Sequence, residues 1–436
     1  MSNWSIDDLC KWDEKIQDVA SNFGLDWFPI TYEICDYYEM MGHMSYHGMP
    51  SHYRHWSYGK TFERTHQLYN LGLEGLPYEL IINSNPSIAY LMRENPAYMQ
   101  ILIMAHCVGH SDFFKNNRNF NRTRPDMAVM KFKSARDRIS KYIENPSIGI
   151  QNVELFLDAV HAIRFQTERH ARRRLSNEEK KNNLIKKINS SDYREYSHVN
   201  IDKIPIEPDD DLLGFLIEQA NHLEEWQRDI LEIVRNESQY FIPQIKTKTL
   251  NEGWASFWHY KILNELSLQT DLHIPFLKSH NQVVRPHIGA VNPYHLGFHI
   301  FSKIEKTFGI EECFFTREVH DDESAIRCLI DREDCELLNL FSYSSKRNNT
   351  VTIDEVSDED GWKKIRNDLI MNTGISPIPL IKVVEIGENN ELILEHDHDG
   401  RDLDLEYAEK VVHQIRLLWP GEVKLFTVIE EDIWEI

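Results

Sequence analysis

Between Ile101 and Val108 the chain reads Ile-Leu-Ile-Met-Ala-His-Cys-Val, with His106 the lone strongly polar side chain. A helix apolar on every side is a buried helix. Asn95-Pro96 supplies its start, with Asn95 as N-cap and Pro96 at the first helical position. Elsewhere the alternation is milder. Residues 1–30 predict an amphipathic helix ending at Phe23-Gly24, then a short link to Pro29. Tyr32 to Trp56 is a polar and aromatic segment containing His43, His47, His52 and His55. Glu79-Leu80-Ile81-Ile82-Asn83 reads as a strand stopped by Ser84-Asn85-Pro86, and further helices are expected at 126–144, 151–170 and 209–237. Residues 172–208 open with Arg172-Arg173-Arg174, carry few apolar positions and read as an exposed charged insertion.

The pattern changes near residue 348. Thr350-Val351-Thr352-Ile353 predicts a strand, Gly361 to Asn372 a helix, and Ile378–Ile386 and Glu391–Glu395 two strands. A helix over Leu405–Leu418 and a strand over Val423–Val428 complete the order β-α-β-β-α-β, that of a ferredoxin-like unit. The expected architecture is a mainly α body over 1–347 with a small α+β domain over 348–436.

Composition narrows the function classes. A formal net charge of −22 over 436 residues argues against nucleic acid, whose phosphates call for clustered Lys and Arg, and against an anionic membrane surface. The N-terminal residues lack the basic and apolar regions of a secretory signal, and no apolar run reaches the ~18 residues that span a bilayer. The six cysteines form no Cys-x-x-Cys pair, which suits free thiols in a reducing, cytoplasmic setting.

Three groups of residues could carry chemistry. His106 and His110 lie at i and i+4, the spacing with which one helix offers two imidazoles to one metal ion. Gly109 between them costs a helix ~1 kcal/mol against Ala, so it implies close approach of another segment or a ligand. His295 and His299 repeat both the spacing and the Asn-Pro start, so spacing alone does not rank the pairs. The second group is Glu252 in Asn251-Glu252-Gly253-Trp254-Ala255. Thr249-Leu250-Asn251-Glu252 also matches a capping box, so capping and ligation both remain open. On a helix, Ser256 and His259 share the face of Glu252, and His259 suits a substrate contact or a ligand's partner better than a place on the ion. The third group, Glu154, Asp158 and His161, has the carboxylate-x-x-His element of helical di-metal sites, although the solvated face of an amphipathic helix explains it as well.

Longer strings point to a family. Gly48-Met49-Pro50, His55-Trp56-Ser57-Tyr58-Gly59-Lys60, Ile82-Asn83-Ser84-Asn85-Pro86, His110-Ser111-Asp112-Phe113-Phe114-Lys115-Asn116-Asn117, Leu250 to His259, and Asn292-Pro293-Tyr294 with Leu296-Gly297 are spread over most of the chain. In these strings the chain resembles the stage V sporulation protein R (SpoVR) family. That family is tied to formation of the spore cortex, a peptidoglycan layer, and also occurs in bacteria that do not sporulate. The resemblance places the family's His-x-x-x-His on His106 and His110 rather than on His295 and His299. The Asn-Glu-Gly-Trp-Ala string is similar to the third-ligand segment of zincin metallopeptidases, which makes Glu252 the expected third ligand. Cys107 departs from the H-E-x-x-H pattern, where that position holds the general base.

The resemblance implies a zincin-like body holding one zinc per chain, with iron or manganese as alternatives, and hydrolysis of an amide bond. Candidate bases are Glu237 and His259. Tyr240 or His55 are candidates for stabilising an oxyanion, and Asp112 and Ser256 for supporting ligands or substrate. The implied partner is a cytosolic peptidoglycan precursor or a protein. Two other readings stand beside it: a non-catalytic, metal-containing regulatory protein that binds a partner, and a helical di-metal oxidase using Glu154, Asp158 and His161 together with the pair His106 and His110.

Overall fold

The computed structural model describes residues 4–71, 79–169, 175, 177–190, 203–287, 290–346, 350–355 and 358–436. It falls into two compact units, Met1–Arg136 with Pro243–Pro377, and Asp137–Ile242 with Ile378–Ile436. Residues 358–377, expected with the C-terminal domain, therefore belong to the first unit.

The chain opens with α1 (Ile6–Asn22), β1 (Ile30–Cys35), α2 (Tyr37–Ser45), α3 (Trp56–Asn70), β2 (Glu79–Ile82), β3 (Ser87–Met92) and α4 (Ala97–Asn116). It continues through α5 (Ala128–Glu144), α6 (Gly149–Ala162), α7 (Asn177–Ser190), α8 (Leu212–Gln219) and α9 (Glu225–Lys246). Next come α10 (Lys248–Glu265), α11 (Thr270–Val283), α12 (Pro293–Phe308), α13 (Ile310–Val319), α14 (Asp322–Leu329) and α15 (Arg332–Leu337). The hairpin β4 (Ser342–Lys346) and β5 (Thr350–Glu355), α16 (Gly361–Met371), β6 (Ile381–Ile386), β7 (Leu392–His396), α17 (Leu405–Arg416), β8 (Val423–Ile429) and β9 (Asp432–Glu435) complete it. The chain is mainly helical with a small C-terminal sheet, and no described helix is long and apolar enough to cross a membrane.

In the first unit α4 is the axis of the core, buried on all sides from Met99 to Phe114. That fits its unbroken apolar reading. The helix starts one residue later than expected, with Pro96 rather than Asn95 at the N-cap position and no side-chain cap. Against α4 lies α10, and α12 crosses α10. Both contacts are made by glycines. A Cβ on Gly109 would stand 2.7 Å from the Cα of Ala255, and one on Gly297 would stand 2.2 Å from the carbonyl oxygen of Thr249 and 2.6 Å from the Cα of Gly253. Backbone meets backbone here, a spacing that only glycine permits. The expectation that Gly109 admits another segment is met by α10.

A three-stranded sheet of order β1-β3-β2 borders this core, with β3 parallel to β1 and antiparallel to β2. Glu79 begins the edge strand β2, opposite Leu91. Neither β1 nor β3 stood out in the hydrophobic pattern. The strand β1 alternates half-buried with exposed positions inside the aromatic segment, and β3 is six residues whose apolar run merges with the approach to α4.

In the second unit α17 packs on α6, and β6 takes a bridge from Asp209 through reciprocal Asp209–Val383 backbone bonds. The C-terminal sheet has the order β6-β7-β8-β9, with β7 and β8 parallel across α17. It is not ferredoxin-like. The strand expected to open that unit, β5, pairs with β4 in the first unit, and the fourth strand is β9, turned back after β8 through Glu430 and Glu431 at positive φ. Asn-Gly pairs usually mark such a turn, and two glutamates hide it. Three further expectations change. The helix placed at 151–170 ends at Ala162, the one placed at 209–237 is two helices, α8 and α9, and the charged segment 172–208 contains α7. Its residues 172–174, 176 and 191–202 lie outside the described residues.

Candidate metal centre

The start of α10 removes the capping role from Glu252. The helix begins at Lys248 with Thr247 at the N-cap position, so Thr249 and Glu252 are its second and fifth residues and cannot form a capping box. The free N–H groups of Thr249 and Leu250 donate instead to the two carboxylate oxygens of Asp322, at 2.7 and 2.8 Å. That buried carboxyl, the first residue of α14, is pushed up to about 7 by burial, which the two backbone donors only partly offset. With the cap supplied by a residue distant in the chain, Glu252 is left for another role.

Glu252 Oε2 lies 3.5 Å from His106 Nε2 and 3.4 Å from His110 Nε2. Among the described residues, His106, His110 and Glu252 are the one group of three whose ligand-type atoms all lie within 4.8 Å of one another. A tetrahedral ion with bonds of ~2.0–2.1 Å sets its ligand atoms ~3.3–3.4 Å apart. The two observed separations match such an edge and are long for charge-assisted hydrogen bonds. His106 Nε2 and Glu252 Oε2 are buried without a hydrogen-bond partner of good geometry. Two buried polar atoms left so, facing each other, fit a shared cation.

The far sides of both imidazoles are held. The Asn251 side-chain oxygen, which can only accept, lies 2.9 Å from His110 Nδ1, so Nδ1 carries a proton and Nε2 is the nitrogen turned toward Glu252. His106 Nδ1 lies 2.9 Å from His259 Nδ1, and His259 Nε2 lies 2.8 Å from His280 Nδ1. Burial first, and then the neighbouring histidines, hold His259 well below its ordinary range and bring His280 to about 4. A row of neutral imidazoles can bond in one sense only. With His106 Nε2 unprotonated, each ring donates outward to the next.

Charges around the three residues are mutually adjusted. Burial opposes ionisation of Glu252, but His110 and His106 outweigh it and hold the carboxyl well below its usual range. Burial likewise opposes charge on His110, yet Glu252 and the bond to Asn251 raise it. A second carboxylate, Glu79, reaches in from β2, with Oε1 4.0 Å from His106 Nε2, and burial raises it. Tyr294, at the start of α12, is the fifth member. Its phenol is kept protonated by the charge of Glu252, with burial and Glu79 adding to the effect. The Glu252 and Glu79 side chains retain 19% and 18% of their surface, whereas His106 and His110 retain 4% and 6%. Access to the cluster is therefore on the carboxylate side.

The other expected site residues are carried by other elements or make other contacts. Glu237 and Tyr240 are on the part of α9 that belongs to the second unit, as are Glu154, Asp158 and His161 on α6. Those three do not converge, since seven residues of helix carry Glu154 and His161 ~10 Å apart along the axis. His259 has both ring nitrogens engaged, a geometry for orienting His106 and not for taking a proton from water. Asp112 is fully buried and accepts from the Asp26 backbone and the Trp254 indole, with Arg317 3.4 Å away. His55 caps α3 through Ser57, and Ser256 is buried on α10. Cys107 is fully buried, its thiol pushed up by burial and then by Glu79. In the rival pair His299 Nε2 bonds Asp334 at 2.7 Å, and His295 is half-buried.

Sequence reasoning missed Glu79, Asn251, Tyr294 and His280. Asn251 and Tyr294 stood inside the family strings, and Glu79 opened the one strand recognised in the first half. Nothing in the sequence marked His280.

A mainly helical body that converges two histidines and a glutamate from neighbouring helices defines a candidate metalloprotein. The model of the family described as SpoVR like protein matches residues 3–377, and that of the SpoVR-like C-terminal domain matches 379–430. The chain belongs to the SpoVR-like family. It is similar to the uncharacterized protein YcgB of Escherichia coli (strain K12), 34% identical over 473 aligned positions that cover 97% of this chain and 92% of that one. No solved structure matches.

Proposed function

We propose that this SpoVR-like protein is a zincin-like metal-dependent hydrolase of amide bonds, with one zinc held by His106, His110 and Glu252. The observation that carries the reading is the convergence of those three side chains at tetrahedral edge spacing, with their outer atoms already bonded. Two neutral nitrogens and one carboxylate suit zinc over the harder oxygen-seeking ions, with iron or manganese as the alternatives. Zinc there supplies Lewis acidity, polarising a carbonyl and bringing the pKa of water to roughly 7.

The chain's own residues do the rest. Asn251 and His259 orient the two imidazoles. The protonated phenol of Tyr294, beside Glu252, donates to the carbonyl oxygen as negative charge develops on it. The family's tie to the spore cortex directs attention to peptidoglycan chemistry. A cytosolic chain meets that chemistry as a precursor or through a protein that acts on it.

The test is cleavage of peptidoglycan-precursor peptides and of protein substrates by zinc-loaded full-length chain, with new amine and carboxyl groups read by mass spectrometry. Chelation or His110→Ala should lower the rate at least ~100-fold. Cleavage that survives both contradicts the reading. Zinc bound without any turnover favours the non-catalytic, partner-binding alternative, to which buried Cys107 in place of a base lends support.

A further inference from the structure

The histidine helix of a zincin carries its proton acceptor one residue after the first histidine. Here that residue is Cys107, fully buried among apolar neighbours, and it offers no carboxylate. A carboxylate nevertheless stands beside the histidine that precedes this position, brought by a different element. Glu79 Oε1 is 4.0 Å from His106 Nε2. Glu79 thus lies beside His106, the residue that immediately precedes position 107.

We infer that Glu79, delivered by the edge strand β2, is the proton acceptor of the proposed hydrolase, standing in from a neighbouring strand for the carboxylate that position 107 lacks. The inference rests on the hydrolase reading and adds the missing group to it. Three features favour Glu79 over the other carboxylates. At 4.0 Å it is farther from His106 than Glu252 is, and beyond the ~3.3–3.4 Å edge of a tetrahedral ligand set, so it sits next to that set and not within it. It shares the exposed side of the cluster with Glu252, where water and substrate can enter. It is held by a strand paired to β3, whose end leads directly into α4, so acceptor and imidazoles ride on consecutive elements.

In the step so assigned, a water oxygen forms a bond to the amide carbon while one of its protons passes to a Glu79 carboxylate oxygen. The C–N bond then breaks with its electron pair on nitrogen, and the proton held by Glu79 moves to that nitrogen. One water is consumed, a carboxylic acid and an amine are released, and Glu79 returns to its starting state.

The experiment compares full-length wild type, Glu79→Gln and Glu79→Asp for two quantities: zinc per chain by mass spectrometry, and acetohydroxamate binding to the zinc-loaded protein by calorimetry. Acetohydroxamate needs both an open metal position and an adjacent base to receive its proton. The expected result is unchanged zinc in all three, acetohydroxamate weakened at least ~10-fold in Glu79→Gln, and partial recovery in Glu79→Asp. Zinc lost from Glu79→Gln makes Glu79 a ligand of a closed site and overturns the assignment. So does unchanged acetohydroxamate affinity, or no binding of it by zinc-loaded wild type. A wild-type chain that takes up no zinc defeats the hydrolase reading itself, an outcome distinct from the others.

Discussion

Gly297→Ala is expected to destabilise the first unit by more than the ~1–3 kcal/mol usual for an overpacked core. Helix propensity argues the other way, because Ala exceeds Gly by ~1 kcal/mol in a helix interior. Geometry decides the sign. The added methyl would lie 2.2 Å from the Thr249 carbonyl oxygen and 2.6 Å from the Gly253 Cα, and both are backbone atoms of a helix that cannot yield as a side chain can. The helices α10 and α12 must separate, carrying Glu252, the neighbour of Gly253, away from His106 and His110. Gly59→Ala is the internal control. Gly59 is exposed on α3, and a methyl added there would meet nothing within 4 Å, so the same substitution should stabilise the fold or leave it unchanged. Denaturant melts of the two variants against wild type check the pair. A Gly297→Ala protein as stable as wild type would show that the helix crossing is looser than described.

The second large effect is on metal and not on folding. Glu252→Gln keeps the shape of the side chain and removes its charge. The first turn of α10 is capped by Asp322, so losing the carboxylate leaves the metal-free fold intact by circular dichroism and melting. Zinc affinity should nevertheless fall at least ~100-fold, beyond the 10- to 100-fold typical when only an outer partner of a ligand is lost. A melt lowered as much in the metal-free variant as in a helix-cap deletion would return Glu252 to a structural role.

How far the sequence reaches can be judged residue by residue. The buried helix α4 was legible because nothing but a fully enclosed position tolerates so apolar a run, and Gly109 announced a close neighbour without naming it. The neighbour, Ala255, is 146 positions away, and no local pattern encodes that pairing. Thr249 to Glu252 was ambiguous for the same reason. The motif is local, but the group that does cap the helix, Asp322, comes from another element. The two His-x-x-x-His pairs were equal in spacing and differ in the structure, where Asp334 reaches His299 while Glu252 reaches His106 and His110. At the C-terminus the elements from β5 to β8 were read in their order, but β4 and β9 were missed and the pairing was not read. Alternation predicts that a segment is a strand and is silent on which strand lies beside it. Glu79 shows the same limit at the site, since a glutamate at the head of a strand is ordinary until the fold sets it beside His106.

Zinc retained per chain, measured by mass spectrometry on zinc-saturated full-length protein after dialysis, tests the central claim most directly. Wild type, His106→Ala and His295→Ala are compared. The convergence of His106, His110 and Glu252 predicts about one zinc in wild type and in His295→Ala, and none in His106→Ala. Equal zinc in all three, or none in wild type, would contradict it.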